Sequence, residues 1–206
     1  FALAAATWLG AASAAGTSSA PAQPEIATSL TIEPPPGTRF VYGPDQRFAV
    51  SPDGKSLVFS AIDDDGQSQL WLRRLDELDA RPIPGTARAM SPFFSPDSRA
   101  IGFSVDRQLR RLDLAGGLST SLLDISQANL RGANWTRSGT ILLGAWSASV
   151  ISVGEIPAAG GQPRAVTTPV PADGDQTHRF PVLLPDGHHL LYVVHAKPGS
   201  HGIFVS

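Results

Sequence analysis

The chain has 206 residues, with 16 Lys and Arg against 18 Asp and Glu, a net charge of −2 and no cysteine. That balance removes the electrostatic case for nucleic acid or an anionic membrane surface, and the missing thiols remove disulfides, thiolate chemistry and Cys-ligated zinc. Twenty glycines and 18 prolines suit a turn-rich β protein.

Residues 1–16 are apolar or small throughout, and the first charge is Glu25. Sixteen residues fall short of the roughly 20 that span a bilayer. Because the chain opens on Phe1, this segment is expected to be the remnant of a transmembrane helix, with Trp8 near the interface. A second reading is a signal-peptide tail, since Ala12-Ser13-Ala14 has the small-residue spacing of a cleavage site. A third is a disordered alanine-rich leader. The first two readings place the rest of the chain outside the cytoplasm. Residues 17–42 read as a Ser/Ala/Pro-rich linker. Within it, Leu30-Thr31-Ile32 predicts a short strand, and Pro34-Pro35-Pro36-Gly37 a rigid extended spacer.

From residue 43 onward the chain repeats itself. Ser51-Pro52-Asp53-Gly54 is followed at once by an alternating apolar strand, the pattern of a tight hairpin turn. Ser95-Pro96-Asp97-Ser98 is a second copy, Thr136-Arg137-Ser138-Gly139 a degenerate third, and Leu184-Pro185-Asp186-Gly187 a fourth. The turns start at 51, 95, 136 and 184, giving periods of 44, 41 and 48. A strand-only period of this length is that of a four-stranded propeller blade. Third strands follow at Gln69–Asp76, Gln108–Asp113, Ser152–Pro157 and Gly202–Ser206. Fourth strands follow near Arg81–Ile83, Ser119–Leu123 and Arg164–Thr167. Gly116-Gly117 and Gly160-Gly161 close two of the turns between them. The predicted fold is all-β: a partial propeller of about 3.5 antiparallel blades in an open arc, preceded by an apolar helix and a Pro-rich linker. The blades are placed at about 43–88, 89–128, 129–175 and 176–206. The last is cut short, and the chain reads as a fragment that lacks later blades.

The run Ile32-Glu33-Pro34-Pro35-Pro36-Gly37-Thr38, then Phe48-Ala49-Val50-Ser51-Pro52-Asp53-Gly54, resembles the extracytoplasmic region of bacterial serine/threonine protein kinases that carry TolB-like, WD-type propeller repeats. Ser91 to Ser98, Leu112 to Gly117, and Thr177-His178-Arg179-Phe180-Pro181 before Leu184 extend the likeness over residues 30–206. Arg137-Ser138 in place of Pro-Asp departs from it. The resemblance implies a single-pass cell-membrane protein with an outer propeller that binds a protein or small-molecule ligand. The kinase domain, with its ATP and magnesium, would lie upstream of Phe1, since no kinase motif stands in this sequence. Alternatives are a periplasmic TolB-like interaction module and the propeller of an oligopeptidase-type serine hydrolase.

No Gly-x-Ser-x-Gly elbow or His-Glu-x-x-His motif is present, so no catalytic residue, cofactor site or metal site is assigned. All five histidines fall between 178 and 201. His188 and His189 are strand neighbours that face opposite ways, which argues against a shared metal. His178 precedes an innermost strand, so it and Arg179 are the candidate ligand contacts at a channel mouth. Asp63-Asp64-Asp65-Gly66 reads as an Asx-rich hairpin loop rather than a calcium loop. Asp53, Asp97 and Asp186 recur at blade period and are expected to be far apart and structural. The pairs Arg73-Arg74 and Arg110-Arg111 each send one member to either side of a strand. Trp71, Trp135, Phe59, Phe94, Phe103 and Phe180 are expected to pack between blades.

Overall fold

A computed structural model describes residues 29–43, 45–125, 130–146, 152–170, 172, 174–196 and 201–206. The compact unit spans Glu33–Ser206. The apolar segment 1–16 lies outside the described residues, among which no helix is long and apolar enough to cross a membrane.

Among the described residues, sixteen strands form four antiparallel sheets in chain order. The first holds β1 (Thr38–Phe40), β2 (Phe48–Val50), β3 (Ser56–Asp63), β4 (Ser68–Arg74) and β5 (Ala80–Pro82). The second holds β6 (Met90–Phe94), β7 (Ala100–Val105), β8 (Gln108–Asp113) and β9 (Thr120–Asp124). The third holds β10 (Ala133–Trp135), β11 (Thr140–Gly144), β12 (Val153–Pro157) and β13 (Arg164–Ala165). The fourth has three strands: β14 (Asp175–Leu183), β15 (Leu190–Ala196) and β16 (Gly202–Val205).

Two details of the lead-in differ from the sequence reading. Leu30-Thr31-Ile32 forms no strand. The prolines that come next lack the amide hydrogens a ladder needs. Thr38–Phe40, placed in the linker, instead forms β1. It pairs Thr38 with Asp63 and Phe40 with Ala61. β3 is eight residues long, and β2 covers only its first half, from Leu57 to Phe59. The open second half of its edge accepts the alternating Thr-Arg-Phe. Phe40 then meets Phe59 edge to face, with ring centroids 5.3 Å apart.

Packing runs between successive sheets, through β2 and β6, β6 and β10, and β10 and β14. The central strands are therefore covered on both faces. That is why β7 and the middle of β3 are buried at successive positions rather than alternately, Ser60 and Ser104 included. Adjacent residues still serve opposite cores. Phe94 packs with Val58, Ile101 and Phe103 between sheets one and two. Phe93 packs with Leu109, Ile141 and Leu143 between sheets two and three. Phe93 also lies flat over Gly102, where any Cβ would fall 2.1 Å from its ring. Between sheets three and four, Leu142, Val153 and Leu190 form a smaller core. Exposed large apolar side chains gather at the two outer sheets. Phe48 and Val50 are 63% and 55% exposed in sheet one, and Ile203 is 72% exposed in sheet four. Phe180, expected between blades, is 36% exposed, with its ring against Gly132 ahead of β10.

Candidate functional site

Antiparallel alternation gives the sheets two ends. The repeat turns lie at one, here the turn end. The β3–β4 and β7–β8 hairpins and the links into each inner strand lie at the other, the loop end.

At the turn end the four motifs share one construction. Ser51 Oγ donates to Asp53 Oδ1 at 2.5 Å, and the same carboxylate accepts the Lys55 amide at 3.0 Å. Ser95, Asp97 and Arg99 repeat this at 2.6 and 3.1 Å. Asp186 takes the amides of His188 and His189. In the degenerate copy, Thr136 Oγ1 accepts the Thr140 amide at 3.2 Å, so hydroxyls stand in for the carboxylate. These bonds favour the ionised acids. Ser51 and the Lys55 amide lower the pKa of Asp53, Ser95 and the Arg99 amide that of Asp97, and the His188 amide and His189 ring that of Asp186. Gly54, Gly139 and Gly187 hold the left-handed position after each acid or its substitute, at φ 70°, 81° and 74°. Ser98 occupies it at φ 61°, and its Oγ accepts the Asp53 amide at 3.2 Å. The turns of sheets one and two thus touch. Inner strands of successive sheets pack side by side, so the turns leaving them cluster. Pro52, Pro96, Trp135, Arg137, Leu183 and Pro185 line a cleft of about 360 Å³ between them. None of the three turn aspartates lines that cleft; each is bound within its own turn.

The two candidate contacts separate. His178 lies in β14 and is only 2% exposed. Thr167 Oγ1 lies 2.7 Å from its Nδ1, Asp175 Oδ2 3.3 Å from its Nε2, and the Tyr192 ring 5.0 Å away. A hydroxyl, an imidazole and a carboxylate in this order look like a nucleophile relay. Yet Thr167 is 8% exposed, and its oxygen already accepts the Val153 amide at 2.8 Å. The network ties sheet three to sheet four, and His178 is buried within it. The sequence reading sets His178 ahead of the inner strand, whereas β14 already begins at Asp175.

Arg179 points to the loop end, and there the structure assembles a group that sequence reasoning missed. Asp45, Arg47 and Arg131 meet across sheets one and three. Arg47 bonds Asp45 Oδ2 at 3.1 Å, and Arg131 bonds Asp45 Oδ1. Their side chains are only 11–22% exposed. Arg179 lies beside this pair, its Nε donating to Thr177 Oγ1 at 2.5 Å. Burial and the charge of Arg131 lower its pKa, with Asp45 opposing. Burial, then Arg179, His201 and Arg131, lower that of His195. The Nε of Arg47 is buried without an acceptor. Two guanidiniums thus share one carboxylate, with a third, Arg179, beside them. Asp45 also lines a pocket of about 290 Å³ walled by Met90, Val105, Ile125 and Leu130.

The backbone explains the convergence. Five residues ahead of each turn motif stand Gln46, Met90, Arg131 and Arg179. The next residue is left-handed in three repeats: Ser91 at φ 52°, Gly132 at 85° and Phe180 at 50°. The pairing register slips there in β6 and β14. Such a bulge bends an inner strand and re-aims its side chains. At the bulge in β14 the Phe180 amide bonds the Arg131 carbonyl at 2.7 Å, and its ring lies against Gly132. Gly144 makes the approach possible: a Cβ there would lie 2.3 Å from Arg131 O and 3.0 Å from Arg179 Cα.

Comparison with known proteins places the fold. No protein-family model and no curated protein sequence matches the chain. The TolB-type protein from Agrobacterium tumefaciens superposes with a TM-score of 0.63 at 16% identity, covering 77% of this chain and 59% of that one. A chain of the nidogen–laminin complex superposes with a TM-score of 0.58 at 13% identity, covering 76% and 62%. The chain therefore spans about three-fifths of the length of these two neighbours. Likeness at this identity speaks to fold alone: an all-β, TolB-like β-propeller of antiparallel sheets.

Proposed function

We propose that the chain is a recognition propeller that binds a protein partner at the loop end of its inner strands. The observation that carries this reading is the convergence of Asp45, Arg47, Arg131 and Arg179, drawn from three sheets, beside a pocket with both apolar and charged walls. Ion clusters of this kind cost desolvation energy and rarely gain stability in return. Ser91 and Phe180, the non-glycine residues held at left-handed φ in the bulges, cost about 1–2 kcal/mol each. A fold keeps both where they serve recognition.

Its setting, in this reading, is the outer region of a membrane-anchored serine/threonine protein kinase. The apolar leader, the proline spacer and the repeat signature support it in that order. Two experiments test the two halves. A photo-crosslinking amino acid at Arg107, which lines the loop-end pocket, is expected to give a discrete protein adduct in cells that express the native gene. One at Leu78, exposed at the turn end, is expected to give none. Adducts at Leu78 alone would move recognition to the other end. The reading frame upstream of Phe1 is expected to encode a kinase domain; a start codon within about 20 residues, the length of one membrane helix, refutes the kinase setting.

A further inference from the structure

We propose that the loop-end cluster receives a carboxylate from an acidic peptide segment of a protein partner, with Arg179 as the receiving guanidinium. The inference rests on the recognition reading and adds the chemistry of the ligand. Asp45 already shows how the site treats a carboxylate: Arg47 takes one oxygen and Arg131 the other. Arg179 stands beside them with a hydroxyl, and among the described residues no carboxylate, as its hydrogen-bond partner. Three cations against one anion leave a local excess of positive charge in a half-buried site, where charge-assisted bonds are strong. The protein as a whole is net negative, so no long-range field draws polyanions in. Beside Asp45, the pocket has an apolar wall of Met90, Ile125 and Leu130 that fits an apolar side chain, and a charged rim of Asp106 and Arg107. A peptide supplies both groups on one chain; a free phosphate supplies only the charge.

Asp45 is then an internal competitor. It occupies two guanidiniums and offsets one of their charges until a partner's carboxylate arrives, which makes the sign of its removal informative. The test is calorimetric titration of the 206-residue chain with a capped hexapeptide of alternating Glu and Leu. The same peptide with Gln for Glu, and inorganic phosphate, are the comparison ligands. R179Q is expected to weaken the Glu peptide about tenfold, the scale of one lost charge-assisted contact. D45N is expected to tighten it severalfold. Raising salt from about 50 to 200 mM should weaken binding, as screening requires.

Opposite signs for R179Q and D45N separate a binding role from simple damage, which would weaken both. Unchanged affinity in R179Q, or loss in both variants, overturns the proposal. Equal binding of the Gln peptide overturns the carboxylate assignment while leaving recognition at this end intact. Phosphate that binds as tightly as the Glu peptide and displaces it overturns the assignment to a peptide.

Discussion

Replacing Gly144 with alanine tests the contact that brings Arg131 and Arg179 together. Gly144 has no left-handed φ, so alanine fits its backbone, and Gly→Ala at such a site normally stabilises by about 0.4–1 kcal/mol. Here the added methyl would sit 2.3 Å from Arg131 O and 3.0 Å from both Arg179 Cα and Phe180 N. All three are backbone atoms, so no side chain can swing away. Restoring ordinary contact moves one strand by about 1 Å, in an interior packed as densely as a crystal. Overpacking of that kind costs about 1–3 kcal/mol. Parting the Phe180 amide from the Arg131 carbonyl, now 2.7 Å apart, costs about 1 more. G144A should therefore lose about 2–4 kcal/mol of a total near 5–15. Urea unfolding followed by the fluorescence of the four tryptophans measures it. A midpoint at or above that of the parent, with an unchanged slope, would refute the close approach of sheets three and four.

The same packing and turn chemistry set three further outcomes. F103A removes a fully buried ring between sheets one and two and should cost about 3–5 kcal/mol in the same urea assay; a loss under about 1 would mean that these sheets do not pack. S138D restores the turn carboxylate in the degenerate repeat and should raise the melting temperature by a few degrees, the value of about one net hydrogen bond; a lower melting temperature would show that the Thr136 hydroxyl network is the better cap. Asp97, through Ser95 and the Arg99 amide, and Asp175, through the Val170 amide, have folded pKa values below their unfolded ones. Their contribution is fully present above about pH 4 and is lost as pH falls through the folded values. D97N should therefore flatten the fall in urea midpoint below pH 4, while an unchanged fall would show that this turn carboxylate carries none of it.

Much of the fold was legible because its signals are local. The turn chemistry of Ser-Pro-Asp-Gly predicts a hairpin wherever it occurs, and four hairpins at near-equal spacing predict four like sheets. The structure places strands at all four, and β8 over the predicted Gln108–Asp113. The loop-end site was not legible. Its positions, five residues ahead of each turn, carry Gln46, Met90, Arg131 and Arg179, so no repeat in residue type marks them. Arg179 was singled out only through its neighbour His178, which the structure buries. The left-handed residues that open the bulges are Ser91, Gly132 and Phe180; only the glycine announces itself.

Sequence by itself therefore determined the strands, their turns and their order, because side-chain alternation and turn geometry depend on residues a few positions apart. Only the tertiary structure decided that Asp45 would meet Arg131, 86 residues later, beside Arg179. That meeting depends on how one sheet stacks on the next and on where each inner strand bulges. Both are set by contacts such as Phe93 over Gly102 and Gly144 against Arg131, which join residues too distant in the chain for any local pattern to record.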